Sequence, residues 1–530
     1  MAISFKLLGL LLARMPSSFV DFLTEILSRT FMFLPSKRRR LLVSNLSHAF
    51  PSWSESRITR IAVKSSSRML EMGFFSLAYP FFSSHRRKHS LLYPREIEAK
   101  LQELRDSGRP VVFLLPHLSL FETLATSPFF RPGGGRSLGA VYRPNRNPSI
   151  DSLIDHSRKA TGLVTFSRKE GLLKAKKHLA EGNWLVILFD QNAGDRGTLG
   201  LFFDRLISFT TLPSLLCRSS GAIPVFAFPE RHSTFRAKLE LREIDSSSSD
   251  MIPRRAHELL EEKIRRHPEG LPEWLWSHGK WKVQSRPESR FRISIKRNSL
   301  SDLDSLPRKN SFCIRMPNWL GDVMMCLPLI RALRKGRPEV KITLIAKPHF
   351  IALLQSFSLA DDFMELPDSK GLSYFLDFRN KCPALVECYL LFTNSLRGDI
   401  EALLSGSPQR FGLILPGRRR PLLTHSMNAS SLGLESVKSL HQTELWKKMM
   451  AHFGLLAEVS SSPLTLNDIS RQRTKVGIIA GSSNNPSKRW PAGKWAELIS
   501  TMIAESEELE VVLYGTSEDH TVSRSIIELT

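Results

Sequence analysis

At 530 residues and 42% apolar composition, the chain is long enough for about three or four domains with real cores, which excludes a disordered or fibrous protein. Its 75 basic and 51 acidic residues leave a net charge of +24, which suits an anionic membrane surface or nucleic acid. No zinc-finger spacing, basic zipper or aromatic ribonucleoprotein motif supports nucleic acid, and five scattered cysteines without a C-x-x-C pair argue against a zinc site or disulfide scaffold.

The first element, residues 3–34, is apolar but interrupted by Lys6, Arg14, Asp21, Glu25 and Arg29. Its uncharged runs stay short of the ~18–20 residues a spanning helix needs, and no signal-peptide cleavage site follows. Helices lying in a membrane interface fit this pattern, with Lys37-Arg38-Arg39-Arg40 meeting anionic headgroups and the apolar Met72–Phe82 stretch adding to the surface. The competing reading packs both segments onto a domain core.

From about 100 to 285, helix and strand patterns alternate, as in a sheet covered by helices. Helices are expected at Glu98–Asp106, Leu172–Ala180 and Leu212–Ser219, and strands at Val111–Leu115, Trp184–Phe189 and Ala222–Phe228. The first strand runs through Pro116 into His117, and Glu122 stands five positions on. On one helix that spacing turns the two side chains roughly 140° apart, so they meet only with His117 on a loop and Glu122 on the following helix. A carboxylate beside an imidazole orients it and stabilises its protonated form, as a general base for a hydroxyl requires. A satisfied core histidine is the plain alternative. The same spacing recurs at His257 and Glu262, where a charged helical run reads as a solvated face.

Residues 286–310 are rich in Arg, Lys and Ser and read as a linker. A strand–loop–helix–strand unit of the doubly wound type begins at Phe312 and carries Pro317-Asn-Trp-Leu-Gly321-Asp322. A third α/β unit begins at Lys475.

Four blocks in the first half resemble the lysophospholipid acyltransferase superfamily, and more narrowly the late acyltransferases of lipid A biosynthesis. They are Leu115-Pro-His117-Leu-Ser-Leu-Phe-Glu122, Ala140-Val-Tyr142-Arg143-Pro144-Asn-Arg-Asn147-Pro148, Phe189-Asp190-Gln191 and Pro272-Glu-Trp274-Leu-Trp276-Ser-His278-Gly-Lys-Trp281. The Gly after His278 departs from the Arg more frequent in that family. The resemblance implies His117 as base, Glu122 as its support, and Arg143 and Asp190 as substrate-binding residues. It also implies an acyl–acyl carrier protein donor and a lipid A precursor as acceptor; the interfacial helices make peripheral attachment at the cytoplasmic face of the inner membrane the preferred location. Asp190 reads equally well as a turn cap, Arg143 as a loop cap, and the tryptophans as packing.

Residues 312–530 resemble the heptosyltransferases of glycosyltransferase family 9, through the Arg315–Asp322 block, Leu391-Phe-Thr-Asn394-Ser395-Leu-Arg397, Arg410-Phe-Gly412 with Arg418–Leu423, and Ala480-Gly-Ser482-Ser483 with Lys488-Arg-Trp490-Pro491. The resemblance implies a GT-B fold, Asp322 as base, Asn394 and Ser395 in substrate binding, and Gly321, Ser482, Ser483 and Lys488 at the nucleotide of ADP-heptose. Asp322 as a helix cap and Lys488 as a solvated charge are the plain alternatives.

The expected fold class is therefore α/β, an acyltransferase domain followed by a Rossmann-like GT-B region. The organisation read from the sequence is a membrane-associated helical region 1–95, an acyltransferase domain 96–285, a linker 286–310, a GT-B acceptor domain 311–470 and the start of a donor domain 471–530. Rossmann-like halves use roughly five or six strands, so the donor domain looks incomplete and its sugar transfer is expected to be weak or absent. No metal and no cofactor are expected. Two rivals stay open: a glycerophospholipid acyltransferase, and a heptosyltransferase carrying a non-catalytic acyltransferase-like membrane anchor.

Overall fold

The computed structural model describes residues 2–530 apart from 35, 118–119, 128–129, 143–150, 153–154, 156–157, 160, 168–170, 194–196, 246–247, 269–275, 277–280, 282–307, 309, 384–385, 433–439, 456–458, 460–474, 483–485 and 507–508. Residues 1–464 form one compact unit and residues 465–530 a second.

The first sheet of the larger unit is built around β2 (Val111–Leu115), buried at every position. It runs β1 (Leu91–Leu92), β9 (Arg236–Glu243), β8 (Ile223–Ser233), β2, β5 (Trp184–Leu188), β3 (Leu138–Tyr142), β4 (Leu163–Ser167). Every pair is parallel except β8 with β9. Strands covered on both faces read as continuous apolar runs, which is why Val-Val-Phe-Leu-Leu is legible in the sequence. Its side chains alternate between two cores. Val112 and Leu114 join one with the helices Gly171–Ala180, Leu212–Ser220 and Ile252–Arg266. Val111, Phe113 and Leu115 join the other with Ala2–Arg14, Ser17–Phe33 and Arg95–Asp106.

A hairpin of β6 (Thr198–Phe202) and β7 (Arg205–Phe209) projects after β5, and the sequence reading has no counterpart for it. Its two-residue loop, Phe203-Asp204, takes left-handed φ of 51° and 57° without a glycine, so the usual Asn-Gly or Asp-Gly signal is missing. The charged-face reading at 257–262 also needs correcting. His257 is buried, with its ring 4.2 Å from that of Phe209 and 4.9 Å from that of Phe189, because the helix Ile252–Arg266 turns it inward. Of the expected linker 286–310, all but Arg308 and Asn310 lies outside the described residues.

The second sheet is wholly parallel, in the order β12 (Asp362–Glu365), β11 (Val340–Ala346), β10 (Asn310–Arg315), β13 (Cys388–Leu391), β14 (Gln409–Ile414), β15 (His425–Asn428). It has the doubly wound pattern expected from Phe312 onward. In the smaller unit, β16 (Lys475–Ile478) pairs in parallel with β17 (Glu510–Leu513) beside the helices Ala492–Glu505 and His520–Leu529.

Candidate active site

His117 lies just past the end of β2, and β5 is the strand beside it, with Leu115 level with Leu188. The Phe189 amide donates to the Leu115 carbonyl at 3.2 Å, so Asp190 and Gln191 emerge next to the imidazole. Asp190 Oδ1 is 2.5 Å from His117 Nδ1, and Gln191 Nε2 is 3.0 Å from His117 Nε2. An ionised carboxylate only accepts, so Nδ1 carries the proton and the Nε2 lone pair accepts from the Gln191 amide. Asp190 is buried and Gln191 exposed, so Nε2 lies on the more exposed side of the buried imidazole. The Phe121 ring packs edge-on against the imidazole at 5.8 Å.

The sequence reading set Glu122 against His117. In the structure the carboxylate on Nδ1 is Asp190, and Glu122 forms a two-pronged ion pair with Arg158. Glu122 opens the helix Glu122–Thr126 and is buried. Burial pulls the Arg158 pKa down, but the charge and hydrogen bonds of Glu122 outweigh it and raise the value overall. The guanidinium also lies 5.8 Å from the Tyr142 ring. The sequence carried no signal for Arg158, which stands 36 positions from its partner in no recognisable block. Arg143 lies outside the described residues, as do Asn147, Trp274 and His278. Trp276 and Trp281 are fully buried, and Trp281 Nε1 donates to the Phe202 carbonyl at 3.0 Å, as the packing reading has it.

In the second sheet, Asp322 sits half-buried in the first turn of the helix Leu320–Gly336. The cap position falls on Trp319, which makes no side-chain cap bond, so Asp322 is not the helix cap. A Cβ built on the neighbouring Gly321 would meet nothing within 4 Å. The adjacent strand β13 brings Asn394 and Ser395 to the same edge of the sheet. Both are engaged structurally. Ser395 Oγ accepts from the Gly398 amide at 3.1 Å as the cap of the helix Leu396–Leu404, and Asn394 Oδ1 accepts from Arg420 at 3.0 Å. Arg420 is itself buried against Asp399 at 2.5 Å.

In the smaller unit, the Ser482 carbonyl accepts from Arg489 at 2.8 and 3.2 Å, closing the loop after β16, and Lys488 is exposed. Arg489 stands within the Lys488–Pro491 block, but the sequence reading gives it no role of its own. Ser483 lies outside the described residues. Among the described residues, no group of three or more His, Cys, Asp or Glu converges as metal ligands would.

The fold and these blocks define an α/β chain with two transferase-family regions. Residues 4–283, more than half of the sequence, match the bacterial lipid A biosynthesis acyltransferases, and the chain belongs to that family. Residues 437–529 match glycosyltransferase family 9 (heptosyltransferase). Among individual proteins, the chain is 26% identical over 271 residues to lipid A biosynthesis acyltransferase 2 of Shigella flexneri, covering 49% of this chain and 83% of that protein. It is 26% identical over 234 residues to lipopolysaccharide heptosyltransferase 2 of Escherichia coli, covering 40% of this chain and 65% of that protein. The chain thus spans just under two thirds of that relative. The solved structure of the E. coli ADP-heptose lipopolysaccharide heptosyltransferase II is 22% identical, with a TM-score of 0.33 over 42% of this chain and 69% of that one.

Proposed function

We propose that the chain transfers a fatty acyl group from an acyl–acyl carrier protein thioester to a hydroxyl of a lipid A precursor, at the cytoplasmic face of the inner membrane. The observation that carries this reading is the His117 imidazole, held on Nδ1 by Asp190 with Nε2 toward the exposed Gln191, within a region that matches the acyltransferase family. His117 Nε2 takes the proton of the acceptor hydroxyl as its oxygen attacks the thioester carbonyl. The C–O bond forms, the C–S bond breaks, and the imidazolium returns the proton to the leaving thiolate. Asp190 stabilises the imidazolium, and Glu122, on the short helix after His117, holds Arg158 in a two-pronged ion pair. Arg143 is assigned to the acceptor by resemblance. A chain of net charge +24 complements both an acidic carrier protein and a phosphorylated lipid.

Membrane attachment through the first two helices is part of the same reading. No helix among the described residues is long and apolar enough to cross a membrane. Leu7, Leu11, Phe19, Phe22, Ile26 and Phe33 are nonetheless exposed, which suits a helix pair lying in the interface.

The second region is assigned a heptosyltransferase-like role toward ADP-heptose, with Asp322 as base, Asn394 and Ser395 toward substrate, and Gly321, Ser482, Ser483 and Lys488 toward the nucleotide.

Lipid mass spectrometry after incubating the purified chain with a lipid A precursor and a panel of acyl-carrier donors tests the acyltransferase reading. Wild type should add one acyl chain, and His117→Ala should slow addition by about 10²–10⁴-fold. Undiminished transfer by His117→Ala would remove the base assignment.

A further inference from the structure

The acyltransferase half and the second sheet meet over a buried ion pair. Arg205, which opens β7, is 1% exposed, and Glu387, just ahead of β13, is 0% exposed; guanidinium and carboxylate are in contact. Asn310, which opens β10, accepts from the same guanidinium at 3.0 and 2.8 Å, and the Trp281 ring lies 4.8 Å from it. Asn310 and Glu387 come together because β10 and β13 are neighbours, with the Glu387 amide donating to the Ser311 carbonyl at 3.1 Å. They lie at the edge where these strands begin, opposite the edge that carries Asp322 and Ser395.

From Arg205 the contacts continue into the acyl-transfer site. Ser208, three residues along β7, accepts from the Ala193 amide at 3.1 Å, and Ala193 is two residues past Gln191. This junction has no slack: a Cβ on Gly197 would lie 2.2 Å from the Phe209 carbonyl oxygen, 2.3 Å from Ser208 Oγ and 2.6 Å from Ala193 Cβ. A second route runs from the Phe209 ring to His257 at 4.2 Å and on to Phe189 at 4.9 Å, the residue before Asp190.

We propose that Glu387, supplied by the heptosyltransferase-like half, is a positioning residue for acyl transfer: it neutralises Arg205 and so holds β7, and with it the Asp190-Gln191 loop, against His117. The proposal rests on the acyltransferase reading. A guanidinium left uncompensated where water does not reach is costly, so losing the carboxylate drives the hairpin to move until Arg205 is solvated. A shift of about 1 Å at a reacting geometry slows turnover by about 10²-fold. The fused half thereby keeps the acyltransferase competent by a route separate from any sugar chemistry at its opposite edge.

The test uses the full chain on lipid A precursor vesicles with an acyl-carrier donor, comparing wild type, Glu387→Gln and the double variant Arg205→Met/Glu387→Met. Glu387→Gln should lower kcat by at least about tenfold, leave the donor KM within about twofold, and do so at a temperature where near-ultraviolet circular dichroism shows it fully folded. The double variant should recover most of the rate, because neither charge is left alone. A wild-type kcat per folded Glu387→Gln molecule, or a double variant no faster than the single one, would overturn the positioning role and leave the acyltransferase reading standing. No acyl transfer by wild type removes that reading, and the proposal with it.

Discussion

His117 has two ring nitrogens, and the protein gives each a separate task. Nδ1 faces the Asp190 carboxylate at 2.5 Å, while Nε2 accepts from the exposed Gln191 amide at 3.0 Å. An incoming hydroxyl needs the place Gln191 holds, and a flexible surface amide is displaced more cheaply than a buried group. Asp190→Asn keeps the shape but offers an amide donor to Nδ1, which moves the ring proton to Nε2 and removes the base. The expected outcome is a kcat about 10²–10⁴-fold lower, at nearly unchanged donor KM and melting temperature, read from initial rates and a thermal melt. A loss below about threefold would leave Asp190 as a turn cap, the alternative its sequence position leaves open. His117 itself was legible, since an apolar strand ending in Pro-His is a local pattern. Its carboxylate partner was not, because Asp190 stands 73 positions away.

At the scale of elements, β2 and β5 fix the site by their parallel register, and the first two helices present an exposed apolar face. The helix Ser17–Phe33 is docked through Val20, Thr24, Ser28 and Met32. Asp21 and Glu71 both bind Arg231 of β8, at 2.8 and 2.7 Å, which leaves Phe19, Phe22 and Ile26 facing outward. Burying a phenylalanine in an apolar phase is worth about 1.5–3 kcal/mol. Phe22→Asp should therefore weaken co-sedimentation with anionic vesicles by about tenfold or more, with wild-type binding falling as salt rises. Binding that ignores both the substitution and the salt would contradict the interfacial reading. The amphipathic pattern of these helices could be read locally. The hairpin of β6 and β7 could not, because its turn lacks the residue types that announce one.

Across the larger unit, the acyltransferase sheet and the parallel sheet after it share the cluster of Arg205, Glu387, Asn310 and His48. Burial first, and then the nearby Arg205 charge, together lower the His48 pKa from 6.5 to about 3. Glu387 lies 3.6 Å from His48 Nε2, but its charge already serves Arg205. Unfolded, His48 takes a proton near pH 6.5; folded, it stays neutral down to about 3. Between those values the unfolded state binds the extra proton. The stability this group contributes is therefore complete above pH 6.5 and is lost as pH falls, by about 1.4 kcal/mol per unit. Urea midpoints measured from pH 7.5 to 4.5 should follow that slope more closely than those of His48→Gln; identical slopes would refute the assignment. The sequence by itself determined the α/β class and the covered apolar strands, and it offered the interfacial helices and the base as expectations, because each is written in periodicities and blocks a few residues long. Only the tertiary structure decided that Asp190 meets His117, that Glu122 goes to Arg158, and that Glu387 reaches Arg205. Those pairings follow from strand order and from which faces bury together, and such contacts are set by the free energy of the whole packed unit, not by local propensity.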